Sequence, residues 1–269
     1  MSFSLDGKTA IVTGAANGIG HEVARHFSAQ NARVMLVDRD EEKLETEAGK
    51  LAKEFENVRF FAGDLREKLT VANLLSAIID DFGTVDILVN GAHQVLPSDP
   101  LDATEDHFEE LLQQNVLANL RVTQAVAKRM IAQVDKRGDE RPVGSVVNLS
   151  SIAADRTNKE QLAYSVSCAA LNQMTRSLAV AFADKRIRVN AIAIGSVRLA
   201  NMEEHMKENP DMHDLSITAT PLGRIAEAQE VVETAQYLAS EASGFVTGQI
   251  ITFDGGRTLI DPLQAAAAR

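Results

Sequence analysis

One cysteine, Cys168, stands in a chain of 269 residues. No intramolecular disulfide can form, which excludes a disulfide-stapled secreted scaffold. Cationic side chains are also in short supply: 27 Lys and Arg face 38 Asp and Glu, for a net charge of −11. Sequence-independent binding to nucleic acid or to an anionic membrane needs clustered base, so neither partner is expected. The first residues, Met1-Ser2-Phe3-Ser4-Leu5-Asp6-Gly7-Lys8, lack the apolar core of a signal peptide. No uninterrupted apolar run approaches the ~18 residues of a membrane span. A cytoplasmic location is therefore expected. The remaining composition is ordinary, 45% hydrophobic and 24% charged, and long enough for one large domain or two small ones.

Short apolar runs alternate with longer amphipathic ones from end to end. Strands are predicted over 9–13, 33–37, 58–61, 87–89, 145–149, 188–192 and 250–253. They are rich in Val and Ile with little alternation, as in a parallel sheet buried on both faces. Helices are predicted over 19–30, 41–55, 67–82, 104–133, 162–183 and 226–240. Strand–helix alternation implies right-handed crossovers and one α/β domain, a doubly wound parallel sheet with helices on both faces, spanning residues 1–269. Two segments break the rhythm. Residues 135–142 are charged and turn-rich, as in a solvated loop. Residues 199–220 carry Met202, Met206 and Met212 among acidic residues and follow the sixth strand, where a lid or a peripheral helix pair would sit.

The first strand runs into Thr13-Gly14-Ala15-Ala16-Asn17-Gly18-Ile19-Gly20 and then a helix. Glycines there let the backbone approach a pyrophosphate whose charge rests on the helix N-terminus. Gly14, Asn17, Gly18, Ile19 and Gly20 are thus candidate dinucleotide contacts. The second strand ends at Asp38, 18 residues after Gly20, where a carboxylate accepts ribose hydroxyls and repels a 2′-phosphate. Arg39 follows, but the loop itself carries no base, so NAD is favoured over NADP. Asp64-Leu65 and Asn90-Gly91-Ala92-His93 follow the third and fourth strands, at the edge where an open α/β sheet binds its ligand. Each is also compatible with a simple turn.

These segments resemble the short-chain dehydrogenase/reductase family over nearly the whole chain. The glycine pattern, Asp64, Asn90-Gly91-Ala92 and Val147-Asn148-Leu149-Ser150-Ser151 match. So do Asn190-Ala191-Ile192, Pro221-Leu222-Gly223-Arg224, Thr247-Gly248-Gln249 and Asp254-Gly255-Gly256. The resemblance implies a Rossmann-like seven-stranded sheet, a nicotinamide cofactor, an alcohol or ketone substrate, no metal, and a homo-oligomer, commonly a tetramer. It further implies catalysis by Asn115, Ser151 and Tyr164, and cofactor contacts from Gly195 and Val197. Ser151 precedes Tyr164 by 13 residues, and Tyr164 is one of two tyrosines; Ser150 is one residue out of register and turned to the other side of its strand.

The same resemblance exposes a departure. The motif reads Tyr164-Ser165-Val166-Ser167-Cys168. The Lys expected four residues after the Tyr, on the same helical face, is Cys168. In the family that Lys holds the nicotinamide ribose and lowers the phenol pKa, and a neutral thiol does neither. Ile194-Gly195 replaces Pro-Gly, Leu199 replaces a Thr, and His93 replaces the last Gly of its turn. The adenosine half of the site is intact and the nicotinamide half is eroded. His93 and Arg198 are candidate substitutes for the lost charge. Cys168 reads as inert packing rather than a reactive thiol, and His205 and His213 as solvated residues. Two functions follow: an NAD(P)(H)-dependent alcohol/ketone oxidoreductase with Tyr164 as acid/base, or a dinucleotide-binding pseudoenzyme. Turnover separates them; cofactor binding does not.

Overall fold

A computed structural model describes residues 2–135, 143–199 and 210–261. Most of the expected 135–142 loop and the 200–209 part of the expected lid lie outside the described residues. The first strand, β1 (Thr9–Thr13), is wholly buried and pairs in parallel with β2 (Arg33–Asp38) and β4 (Ile87–Asn90). With β3 (Val58–Ala62), β5 (Gly144–Ser151), β6 (Ile187–Ile194) and β9 (Ile250–Phe253), these form one seven-stranded parallel sheet. Its order is β3-β2-β1-β4-β5-β6-β9. The winding reverses between β1 and β4, which opens a crevice at their carboxyl ends.

Alternate positions on the same strands feed two cores. Val12, Val34, Leu36, Val147 and Leu149 face α1 (Gly18–Ala29), α2 (Glu41–Glu54) and α8 (Ala228–Ala239). Ile11, Met35, Val37, Leu88 and Val146 face α3 (Lys68–Phe82), α5 (Asn119–Asp135) and α6 (Leu162–Phe182). Burying each such side chain is worth about 1.5–3 kcal/mol. Apolar groups on both strand faces therefore specify a three-layer sandwich, with the loops at the strand ends left to carry chemistry.

Two predicted helices differ. The helix expected from residue 104 begins at α4 (Phe108–Leu112), after His107 in a left-handed conformation with φ 50°. Asp102 and Asp106 accept the main-chain N–H groups of Thr104 and Phe108 at 2.8 and 2.9 Å, turns that compete with helix. The helix is also interrupted by a π-helical turn, Gln113–Ala118. The helix expected from 226 starts at Ala228, because β7 (Val197–Arg198) and β8 (Ala226–Glu227) pair as a short parallel ladder. Pro210–Thr218 forms α7. Among the described residues no helix is long and apolar enough to cross a membrane.

Candidate active site

The crevice at the β1–β4 reversal is made by two turns in contact. Thr13 Oγ1 accepts the main-chain N–H groups of both Gly91 and Ala92, each at 3.1 Å. A Cβ on Gly14 would stand 2.6 Å from the Gly91 carbonyl oxygen, and one on Gly20 would stand 2.2 Å from that of Gly14. Only glycine lets the turns close this tightly. Asn17 precedes α1 in an extended conformation without capping it, and the first turn of α1 holds no acidic residue. Its first N–H groups and positive dipole end are thus left for an anion. A cleft of about 260 Å³ lies before them, bordered by Gly14, Asn17, Gly18, Asp38, Asp64 and Ala92 among others. Ile19, Gly20, Leu65 and Gly91 border it too. A glycine cradle and an uncapped helix start fit the pyrophosphate of a dinucleotide.

Asp38 closes the ribose end. Its Oδ2 accepts Ala16 N–H at 3.1 Å, and its Oδ1 accepts those of Arg39 and Asp40 at 2.7 and 3.1 Å. The carboxylate ties β2 to the glycine loop and sets fixed negative charge in the cleft. Asp64 is gripped by Arg66, whose Nε lies 3.0 and 2.9 Å from its two oxygens. That side-chain hydrogen bond holds the Asp64 carboxyl below the usual carboxylate range. Asn90 does not reach either cleft with its side chain. It is 1% exposed, and its amide donates inward to Thr123 Oγ1 and Asn148 Oδ1 at 2.9 and 2.8 Å. Gly63, Gln94 and Gln114 border the cleft without having been singled out in the sequence.

A second cavity of about 360 Å³ adjoins the first, sharing Asn17, Gly18, Ile19 and His93. Ser151, Tyr164, Cys168, Gly195 and Val197 line it, so β5, α6 and the β6–β7 connection meet there. Tyr164, Ser151 and Cys168 meet in the wall of this cavity, close enough for each to bear on the Tyr164 phenol. Burial raises the Tyr164 phenol well above its ordinary value, proximity to the Cys168 sulfur adds to this, and the Ser151 bond opposes it. Burial also pushes the Cys168 thiol up to about 11, against hydrogen bonds from Tyr164, Ser167 and the Ser151 main chain. Both groups are therefore protonated at neutral pH. Ser151 Oγ accepts Ala153 N–H at 3.1 Å, whereas Ser150 Oγ is buried without a partner.

Asn115, in the π-helical turn, is a clamp. Its Oδ1 accepts Gln94 N–H at 2.8 Å, and its Nδ2 donates to the Gln94 carbonyl and to Ser167 Oγ at 2.9 and 3.0 Å. Ser167, fully buried and unnoticed in the sequence, donates in turn to the Tyr164 carbonyl at 2.8 Å. The Asn115 carbonyl accepts Asn119 Nδ2 at 2.8 Å, leaving one lone pair for another donor. Neither candidate supplies the missing positive charge as a fixed cation. Arg198 lies on the outer surface, 3.5 Å from Glu227. His93 borders both cavities, and its Nδ1 donates to the Gly91 carbonyl at 2.9 Å. A carbonyl only accepts, so Nδ1 carries the proton in this bond. Among the described residues, the lining of the second cavity includes no Asp, Glu, Lys or Arg.

Residues 14–258 match the family model described as "Enoyl-(Acyl carrier protein) reductase". The chain is 34% identical over 262 residues to galactitol 2-dehydrogenase (L-tagatose-forming) of Cereibacter sphaeroides, covering 96% of this chain and 97% of that one. It is 32% identical over 259 residues to D-threitol dehydrogenase of Mycolicibacterium smegmatis, covering 96% and 95%. Its fold matches a 7α-hydroxysteroid dehydrogenase solved with NADH and 7-oxo glycochenodeoxycholic acid. That match has a TM-score of 0.83 and 30% identity, covering 95% of this chain and 96% of that one.

Proposed function

The chain belongs to the short-chain dehydrogenase/reductase family, and from that premise we propose that it is an NAD-dependent oxidoreductase interconverting a secondary alcohol and a ketone. The observation that carries the reading is the continuity of the two cavities, from the glycine cradle to the Tyr164–Ser151 pair. A bound nicotinamide dinucleotide supplies or accepts hydride at the reacting carbon of the substrate. Gly14, Gly18, Ile19 and Gly20 would hold its pyrophosphate, Asp38 its ribose, and Gly195 and Val197 would border its reactive end. Tyr164 transfers the proton to or from the substrate oxygen, and Ser151 donates a hydrogen bond to that oxygen. Asn115 and Ser167 position Tyr164 through its carbonyl.

Matches over nearly the whole chain to proteins named as dehydrogenases favour an enzyme over the pseudoenzyme alternative. Without a cation beside it, Tyr164 rests protonated at neutral pH, the form that carbonyl reduction uses, so reduction is the assay direction to start from. NAD is preferred to NADP, supported by the fixed Asp38 carboxylate. A homo-oligomer, most simply a tetramer, is supported by α6, whose exposed Leu162, Val166 and Val180 fall on one helical stripe. A cytoplasmic location belongs to the same reading, since a reducing compartment keeps the lone thiol free. Residues 199–220 are proposed as the substrate lid because Leu199 enters the cavity wall.

The test follows NADH consumption with ketones at pH 6–7, with deuteride from the reduced nicotinamide traced into the product carbon. Deuterium at the carbinol carbon is expected. NADH binding without label transfer, even for Cys168→Lys, would overturn the enzymatic reading.

A further inference from the structure

Resting on the reading of Tyr164 and Ser151 as the reacting pair, we propose that the substrate is a neutral, largely apolar ketone or secondary alcohol bearing a single oxygen function, not a polyhydroxylated sugar alcohol. The wall of the reaction cavity is built from Ile19, Leu149, Leu171, Ile194, Val197 and Leu199. Its polar groups are mostly spoken for. Both ends of the Asn115 amide bond Gln94 and Ser167. Ser167 donates to the Tyr164 carbonyl, and Ser196 Oγ accepts from Arg257 at 3.2 Å. Ser150 Oγ is sealed from solvent. Two hydroxyls, those of Ser151 and Tyr164, are left to meet one substrate oxygen; the Asn17 amide and the His93 ring stand where this cavity joins the first.

A polyol entering this cavity would exchange water for leucine and isoleucine at most of its hydroxyls. A hydroxyl stripped of water without a replacement partner costs about tenfold or more in affinity. An apolar skeleton gains from the same walls. No fixed charge among the described lining residues offers an anchor for a carboxylate or ammonium group.

In reduction, the substrate carbonyl carbon receives hydride from reduced nicotinamide and the C=O π pair moves onto oxygen. The Tyr164 proton closes the alcohol, and solvent returns a proton to the phenolate.

The experiment titrates the complex of full-length protein with NADH against 2-decanone and 2-decalone on one side, tagatose and erythrulose on the other. Calorimetry reads binding and loss of NADH absorbance reads turnover. The apolar ketones are expected to bind at least 100-fold tighter, and Leu171→Asn is expected to narrow that gap at least tenfold. Ketoses bound or reduced as well as the apolar ketones would overturn the substrate class while leaving the Tyr164–Ser151 reading intact. Preferential binding of the apolar ketones without turnover by either wild type or Cys168→Lys would uphold the substrate class and overturn the catalytic reading. Binding of neither class to the NADH complex overturns the substrate class.

Discussion

Replacing Cys168 by Lys puts an ammonium on the Tyr164 face of α6. In the wild type both groups lie in the cavity wall, and burial keeps the phenol above its ordinary value. A phenol of pKa about 10 is only ~0.1% ionised at pH 7, so the buried Tyr164 phenolate is rarer still. An ammonium about 4 Å away at an effective dielectric of ~20 favours the phenolate by about 4 kcal/mol, or roughly three pKa units. The sign follows directly. Alcohol oxidation needs the phenolate, so wild-type kcat/KM for oxidation should rise about tenfold per pH unit from 6 to 10 with no plateau. The Cys168→Lys protein should plateau at a lower pH and exceed wild type at pH 7 by two to three orders of magnitude. The phenol can be read independently. Tyr164 and Tyr237 are the only tyrosines, so in a Tyr237→Phe background the 295 nm absorbance titrates Tyr164 alone. A wild-type plateau near neutrality would refute the reasoning and point to His93 as the missing base. An unshifted Tyr164 titration in a folded Cys168→Lys protein would refute it as well.

Three further outcomes are expected. Asp38→Ala should raise the NAD Kd about 10- to 100-fold, from the loss of charge-assisted hydrogen bonds, and should shrink the preference over NADP in calorimetric titrations; a wild type that binds NADP equally well would sink the Asp38 assignment. Gly14→Ala places a side chain at φ +69° and against the Gly91 carbonyl; urea unfolding should show a loss of at least about 1–3 kcal/mol, and NAD affinity should fall with it. The Asp64–Arg66 pair lowers the Asp64 pKa, so its stabilisation is present above pH ~4 and lost as pH falls through the lower folded value. The stability gap between wild type and Asp64→Asn should thus be flat above pH 5 and close below pH ~4, and a gap unchanged down to pH 2 would contradict the pairing.

The sheet was legible because strands buried on both faces leave short runs rich in Val, Ile and Ala, as in β1 and β6. Helix ends were less so. The turns that Asp102 and Asp106 make with Thr104 and Phe108, and the chain's path past His107, delay the start of the helix expected from 104. The π-helical turn leaves no mark in a periodicity that runs on through it. At Asn90 the sequence marks a polar strand end but not where its side chain turns. Its amide is drawn inward by Thr123 and Asn148, partners 33 and 58 residues away. The departure at Cys168 was visible in the sequence. That no described cation faces Tyr164 from any other element was not, since it depends on where Arg198 and His93 come to lie.

The glycine cradle and Asp38 hang on the first four strands, while Ser151, Tyr164 and Cys168 hang on β5 and α6. The two cavities have only Asn17, Gly18, Ile19 and His93 in common. Grip on the dinucleotide and speed of the chemistry are thus separately heritable. A substitution at residue 168 therefore bears on the nicotinamide end and the reaction while leaving the glycine cradle and Asp38 as they are.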